Sequence, residues 1–209
     1  MAGWRKSFLM LLVLIALTAC GTAVSPTVHR SNSPLPDASP TRSLTPRDLL
    51  VIGDSLMVGA RDIGGLKGLL EESGWISDIV AEVGAGVPWA MQQVDQRVSV
   101  PHIVLVEMGS NPGPGLGNFP NEVSELIDTL TAKGARRIVW VPPIARDPTK
   151  YAERDDVIAR AASSRVLVSQ WPAQLEQNPQ WFGGDLHLTE QGYQALALYI
   201  RDEMAPLHG

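Results

Sequence analysis

The stretch Leu49-Leu50-Val51-Ile52-Gly53-Asp54-Ser55-Leu56 decides how the rest of this chain is read. Four consecutive large aliphatic residues leave no polar face, so a strand from Leu49 to Ile52 must be covered on both sides. The strand runs straight into Gly53-Asp54-Ser55, and a helix is expected behind it from Met57 to Glu72. A serine at a tight strand-to-helix turn exposes its hydroxyl and sets its backbone N–H at the start of the helix. That arrangement suits a nucleophile whose attack creates an oxyanion. Taken alone, the same three residues are equally a turn in which Asp54 or Ser55 caps a helix.

Working outward, the same kind of apolar run recurs. Strands are expected at Asp78 to Val83, His102 to Met108, Arg137 to Val141 and Arg165 to Ser169. Helical patterns fill the gaps at Pro88 to Val98, Asn118 to Lys133 and Pro148 to Ser163, with a last helix from Thr189 to Met204. Five strands alternating with helices predict an α/β fold, a three-layer α/β/α sandwich around a five-stranded, mostly parallel sheet. Ligand chemistry in such sheets gathers at the carboxyl ends of the strands.

Those ends carry a consistent set of groups. The second strand leads into Gly84-Ala85-Gly86, where glycine lets a backbone N–H approach a ligand; a plain turn reads the same way. The third leads into Gly109-Ser110-Asn111, whose asparagine can aim its side-chain NH2 toward the point that Ser55 faces. Before the last helix comes Asp185-Leu186-His187-Leu188-Thr189, with Thr189 as a candidate N-cap. The other histidines lie in a Pro/Ser-rich stretch (His29), at the chain end (His208) and at the opening of a strand (His102), so elimination leaves His187 as the general base. Glu107 is read as an acid hydrogen-bonded to loop amides and Asp54 as a loop organiser. Trp89 and Trp171 lie in segments expected near the site and offer faces for a sugar. Trp75, Trp140 and Trp181 read as packing residues. No dinucleotide, nucleotide or metal-ligand spacing occurs, so no cofactor or metal is expected.

Ser55, Gly84, Asn111 and His187 follow one another in the order and spacing of the SGNH (GDSL-type) hydrolase superfamily, which the chain resembles from about Asp48 to Arg201. The resemblance implies a flavodoxin-like SGNH hydrolase fold and a serine esterase working through an acyl-enzyme. Ser55 would be the nucleophile and His187 the base. The oxyanion hole would be formed by Ser55, Gly84 (or Gly86) and Asn111. The phrases around Asn111 and His187 lean toward the branch acting on O-acyl groups of cell-surface carbohydrates, short acyl groups such as acetyl included. One position departs from the pattern. The family usually places an aspartate three residues before its histidine, where this chain has Gly184, and Asp185 stands two before. In extended backbone, residues two apart face the same side, so Asp185 can complete a triad; otherwise Ser55 and His187 act as a dyad. An O-acyltransferase shares the same intermediate, and a catalytically inactive carbohydrate-binding relative shares the fold.

The first 47 residues differ in kind. Arg5 and Lys6 precede an apolar run from Phe8 to Leu17, as in a secretory signal peptide. Leu17-Thr18-Ala19-Cys20 resembles a bacterial lipoprotein lipobox, which implies that Cys20, the only cysteine, carries the lipid anchor. A single cysteine also excludes an intramolecular disulfide and any cysteine-built metal site. Gly21 to Arg47, rich in Pro, Ser and Thr, is expected to be a disordered tether, leaving residues 48–209 as the hydrolase domain. Of the net charge of −5, the first 20 residues contribute +2 and the tether +2, which leaves −9 on the domain. That balance argues against nucleic-acid binding and suits neutral esters or sugars. The expected setting is extracytoplasmic, at a bacterial membrane; the oligomeric state is not legible.

Overall fold

The computed structural model describes residues 43–112 and 115–207. Cys20 and the expected signal peptide lie outside the described residues, as does the tether up to residue 42. Strand β1 (Asp48–Gly53) is followed by helices α1 (Ser55–Asp62) and α2 (Leu66–Glu72), then β2 (Ile76–Ala81), α3 (Val87–Asp95) and β3 (Ile103–Glu107). After these come α4 (Phe119–Ala132), β4 (Arg137–Val141), α5 (Ala152–Arg160), β5 (Val166–Val168), α6 (Trp171–Gln177) and α7 (Glu190–Met204). The strand order is β2-β1-β3-β4-β5, and all four pairings are parallel.

β1 is buried along its whole length. Leu49 and Val51 face a layer formed by α1, α2, α6 and α7, and Leu50 and Ile52 face one formed by α3, α4 and α5. Each of these side chains, inaccessible to solvent, contributes about 1.5–3 kcal/mol relative to exposure. The expected three-layer α/β/α sandwich is therefore the observed one. Chain order reverses between β1 and β3, and their carboxyl ends define the crevice where open α/β sheets bind ligands. Gly53 pairs with Glu107 there, so Asp54-Ser55 and Met108–Asn111 leave the sheet side by side.

Three local features differ from the sequence expectation. The helix expected over 57–72 is two helices, because α7 passes too close for a straight one. A Cβ at Gly64 would lie 2.4 Å from the Tyr193 carbonyl oxygen and 2.7 Å from that of Ala60. Gly65, at φ +71°, then turns the chain into α2. The helix expected from Pro148 starts only at Ala152, since Asp147 Oδ1 accepts from the Thr149 N–H (2.9 Å) and hydroxyl (2.7 Å) in a local turn. Finally, Trp171 opens a helix that the sequence reading does not include. Its ring stacks on Trp181 with centroids 5.8 Å apart and is 1% exposed, so it belongs to the core rather than to a sugar platform. Trp75 and Trp140 are buried as expected, while Trp89 is half-buried on α3.

Candidate active site

Ser55 is the first residue of α1, and Asp54 caps that helix by accepting the Leu56 N–H on Oδ1 at 2.9 Å. The cap fixes the turn and leaves the Ser55 hydroxyl facing outward. Ser55 Oγ lies 3.0 Å from His187 Nε2, across 132 residues of sequence. With the ring proton on Nδ1, the hydroxyl donates and Nε2 accepts.

His187 sits at the tip of a short closed loop. Phe182 and Leu188 form an antiparallel bridge, and the His187 carbonyl accepts from the Gly183 N–H at 2.9 Å. Both bridge residues are buried, so they anchor the loop in the core while the histidine stays exposed. Thr189 caps α7 as expected, its hydroxyl oxygen accepting from the Gly192 N–H at 3.1 Å.

Asp185 does not meet His187. Its carboxylate pairs with Lys150, and no hydrogen bond joins it to the imidazole. The physical reason lies in the backbone. The Asp185 carbonyl accepts the Arg146 N–H at 2.7 Å, which ties residue 185 to the β4–α5 loop and turns its side chain toward that loop's cation. Arg146 strengthens the tie, donating from Nη2 to Phe182 O at 2.7 Å and from Nε to Gly184 O at 3.1 Å. The loop that carries His187 is thus held from its amino-terminal side by Arg146 and Lys150.

The oxyanion candidates also depart from expectation in one respect. Gly84 is exposed at φ +80° with nothing within 4 Å of a Cβ built on it, so the backbone conformation rather than space demands glycine there. Gly86 has φ −113°, which any residue adopts. Among the described residues, the N–H groups of Ser55 and Gly84 have no acceptor. Asn111 is different. Its Nδ2 donates to Asp54 Oδ2 at 3.0 Å and to Ala85 O at 3.1 Å. The amide expected to point freely at an oxyanion is instead engaged with Asp54, the cap of α1, and with the Gly84 loop.

Beneath these groups lies a buried acid pair. Glu107 is fully buried, and its Oε2 accepts the Asp54 N–H at 3.2 Å, as expected of an acid bound to a loop amide. Burial first, and then the Asp54 charge, holds the Glu107 carboxyl well above the usual range. Burial also raises Asp54, opposed by its bond from Leu56 and by His187 and Asn111 nearby.

Two residues that the sequence reading passes over complete the site. Tyr151 donates to Ser110 O at 3.2 Å, and Arg154 donates to the carbonyls of Gly109, Asn111 and Gly115. Arg154 lies on the buried side of α5 with Val157 and Ile158, at helical spacing. An arginine on an otherwise apolar stripe was the available signal.

No family model matches the sequence, and no curated protein matches it. Solved structures do match the fold. The catalytic domain of peptidoglycan O-acetyltransferase A from Streptococcus pneumoniae aligns with a TM-score of 0.61 at 20% identity, covering 77% of this chain and 93% of that one. A G-D-S-L family lipolytic protein from Desulfitobacterium hafniense gives 0.58 at 13% identity, with 75% and 98% covered. A carbohydrate esterase family 3 protein from Talaromyces cellulolyticus gives 0.57 at 12%, with 77% and 97% covered. At these identities the likeness is one of fold, and the chain has the SGNH hydrolase fold.

Proposed function

We propose that this chain is a membrane-anchored, extracytoplasmic serine esterase that removes short acyl groups, such as acetyl, from carbohydrate. The observation that carries the reading is the 3.0 Å contact between Ser55 Oγ and His187 Nε2 at the start of a helix, at the β1/β3 crevice. In the reaction, Ser55 Oγ bonds to the acyl carbon while its proton passes to His187 Nε2. The negative charge on the former carbonyl oxygen falls to the free N–H groups of Ser55 and Gly84. One Asn111 N–H joins them by exchanging its bond to Ala85 for one to the oxyanion. The ester C–O bond then breaks, and the leaving alcohol takes the proton from His187. Water attacks the acyl-enzyme by the reverse route and releases the acid. With its carboxylate on Lys150, Asp185 takes no part, and Ser55 and His187 act as a dyad.

The fold neighbours support acyl-ester chemistry of this kind, and some are named for acetylated glycans. One is described as an esterase active on acetylated mannans, aligning with a TM-score of 0.57 at 13% identity over 49% of its length. Anchoring through Cys20 rests on the sequence alone. Loss of lipid labelling and release from the membrane on Cys20→Ser test it.

The decisive measurement is fluorophosphonate labelling of Ser55 together with hydrolysis of a short-chain aryl ester. Ser55→Ala is expected to lose both, with kcat falling about 10⁴-fold or more. Full activity in Ser55→Ala sinks the reading. A second reading, O-acetyl transfer, is favoured by the pneumococcal O-acetyltransferase among the fold neighbours. It uses the same acyl-enzyme with a sugar hydroxyl in place of water. Acetylated oligosaccharide rather than free acetate as the product would select it.

A further inference from the structure

We infer that Arg154 is a positioning residue for the oxyanion side of the site; the link to catalysis rests on the roles of Ser55 and Asn111 proposed above. The residue is 4% exposed, and its guanidinium lies 4.9 Å over the Phe119 ring. Nη1 donates to Gly109 O and, at 3.1 Å, to Asn111 O, while Nε donates to Gly115 O at 2.8 Å. Among the described residues, no carboxylate forms an ion pair with it.

This is an expensive way to fill a space in the core. A full charge has been taken from water and given only carbonyl oxygens and a ring in return. Burial accordingly pulls the guanidinium's pKa down. An apolar residue of similar volume would continue the stripe of Val157 and Ile158 without that cost. What a hydrocarbon cannot supply is a rigid fork of N–H donors, and this one gathers carbonyls on both sides of Asn111.

The contacts continue to the nucleophile. Arg154 holds the Asn111 backbone, the Asn111 amide holds Asp54, and Asp54 caps the helix that begins with Ser55. Three hydrogen bonds thus connect α5 to α1 through the residue whose side-chain amide is to meet the oxyanion. Tyr151, one turn earlier on the same side, secures the adjacent Ser110 carbonyl. If the Asn111 loop drifts, its amide loses both its present partners and its aim at the developing charge.

The test compares the full chain with Arg154→Lys, Asn111→Ala and the double variant. The first readout is NMR of the Asn111 side-chain amide, which needs no turnover. In Arg154→Lys its resonances are expected to shift and to lose protection from solvent exchange. On a short-chain aryl ester, Arg154→Lys is expected to lower kcat about 10-fold through misplacement alone. KM should stay within about twofold, and the Asn111→Ala background should show no further loss.

Unmoved Asn111 resonances in folded Arg154→Lys overturn the inference. So does an equal loss of kcat in both backgrounds, because Arg154 would then act on something other than Asn111. Should Arg154→Lys fail to fold, scalar couplings across the hydrogen bonds from Arg154 to the Gly115 and Asn111 carbonyls decide the matter in the unaltered chain; their absence overturns the inference. If Asn111→Ala alone leaves kcat unchanged, the oxyanion reading fails, and the amide resonances still decide the role of Arg154.

Discussion

The loop carrying Asn111 is gathered by a guanidinium that is 4% exposed. The loop carrying His187 is tied by Arg146, on the surface, and by a Lys150–Asp185 pair whose side chains are 25% and 60% exposed. Both devices use cations from the same β4–α5 segment, and both act mainly on backbone carbonyls. They differ in dielectric. Inside the protein, hydrogen bonds from a charged donor are strong and unscreened, and leaving their acceptors unpaired is costly. At the surface, salt and water compete for the same groups, and an ion pair contributes little. The Asn111 side of the site is therefore set rigidly, while the His187 side is held by contacts that solvent can replace. His187, whose ring makes no hydrogen bond to a carboxylate among the described residues, belongs to the second kind.

That contrast orders the expected effects of substitution. The largest is on the rigid side: Asn111→Ala should lower kcat by about 10²–10³ with little change in KM, as for loss of an oxyanion donor. An unchanged kcat would mean that the Ser55 and Gly84 N–H groups suffice alone. Next, Arg154→Ala should destabilise the fold by about 3 kcal/mol, since it leaves the buried Gly109 carbonyl and the part-buried carbonyls of Asn111 and Gly115 without their donor. Arg146→Ala should cost about 1 kcal/mol at its exposed site. Urea unfolding of the two variants measures the difference, and equal losses would erase the distinction between the loops.

A subtler effect lies beneath Ser55. Burial and then the Asp54 charge push the Glu107 carboxyl's pKa above the ordinary value that it has in the unfolded chain. The native state therefore retains a proton that the unfolded state releases as pH rises. Stability from this group is full below the unfolded pKa and is lost as pH climbs toward the raised folded one. Glu107→Gln keeps the shape without the titration, so its stability should depend less on pH than the wild type's as pH rises above the ordinary glutamate value. Parallel pH profiles would show that Glu107 is ionised in the fold.

The smallest change is expected from Asp185→Asn, with kcat within about threefold of the wild type, because the carboxylate is engaged with Lys150 at the surface. A loss of several hundredfold would restore Asp185 to a triad and refute the contrast between the two sides.

Much of this was legible in the residues. Leu49 to Ile52 could only be a strand covered on both faces, and Gly-Asp-Ser behind it placed a hydroxyl at a helix start. Elimination left His187 as the candidate base, and Thr189 as the cap of α7 followed from its type and place. The break at Gly64 was not legible, because its cause is the Tyr193 backbone, 129 residues away. Trp171 looked like a sugar platform for as long as Trp181 and Tyr199, which enclose it, were only distant letters.

The sequence by itself determined the alternation of strands and helices and singled out Ser55 and His187 as the candidate nucleophile and base, because each follows from local periodicity or from the scarcity of a residue type. Tertiary structure alone decided where the supporting charges went. Asp185 turned to Lys150 rather than to His187, the Asn111 amide turned to Asp54 and Ala85, and Arg154 was drawn inside to hold the Asn111 loop. A hydrogen bond's partner is fixed by distances of about 3 Å between groups that the sequence separates by tens of residues, and only the packed sheet brings them together.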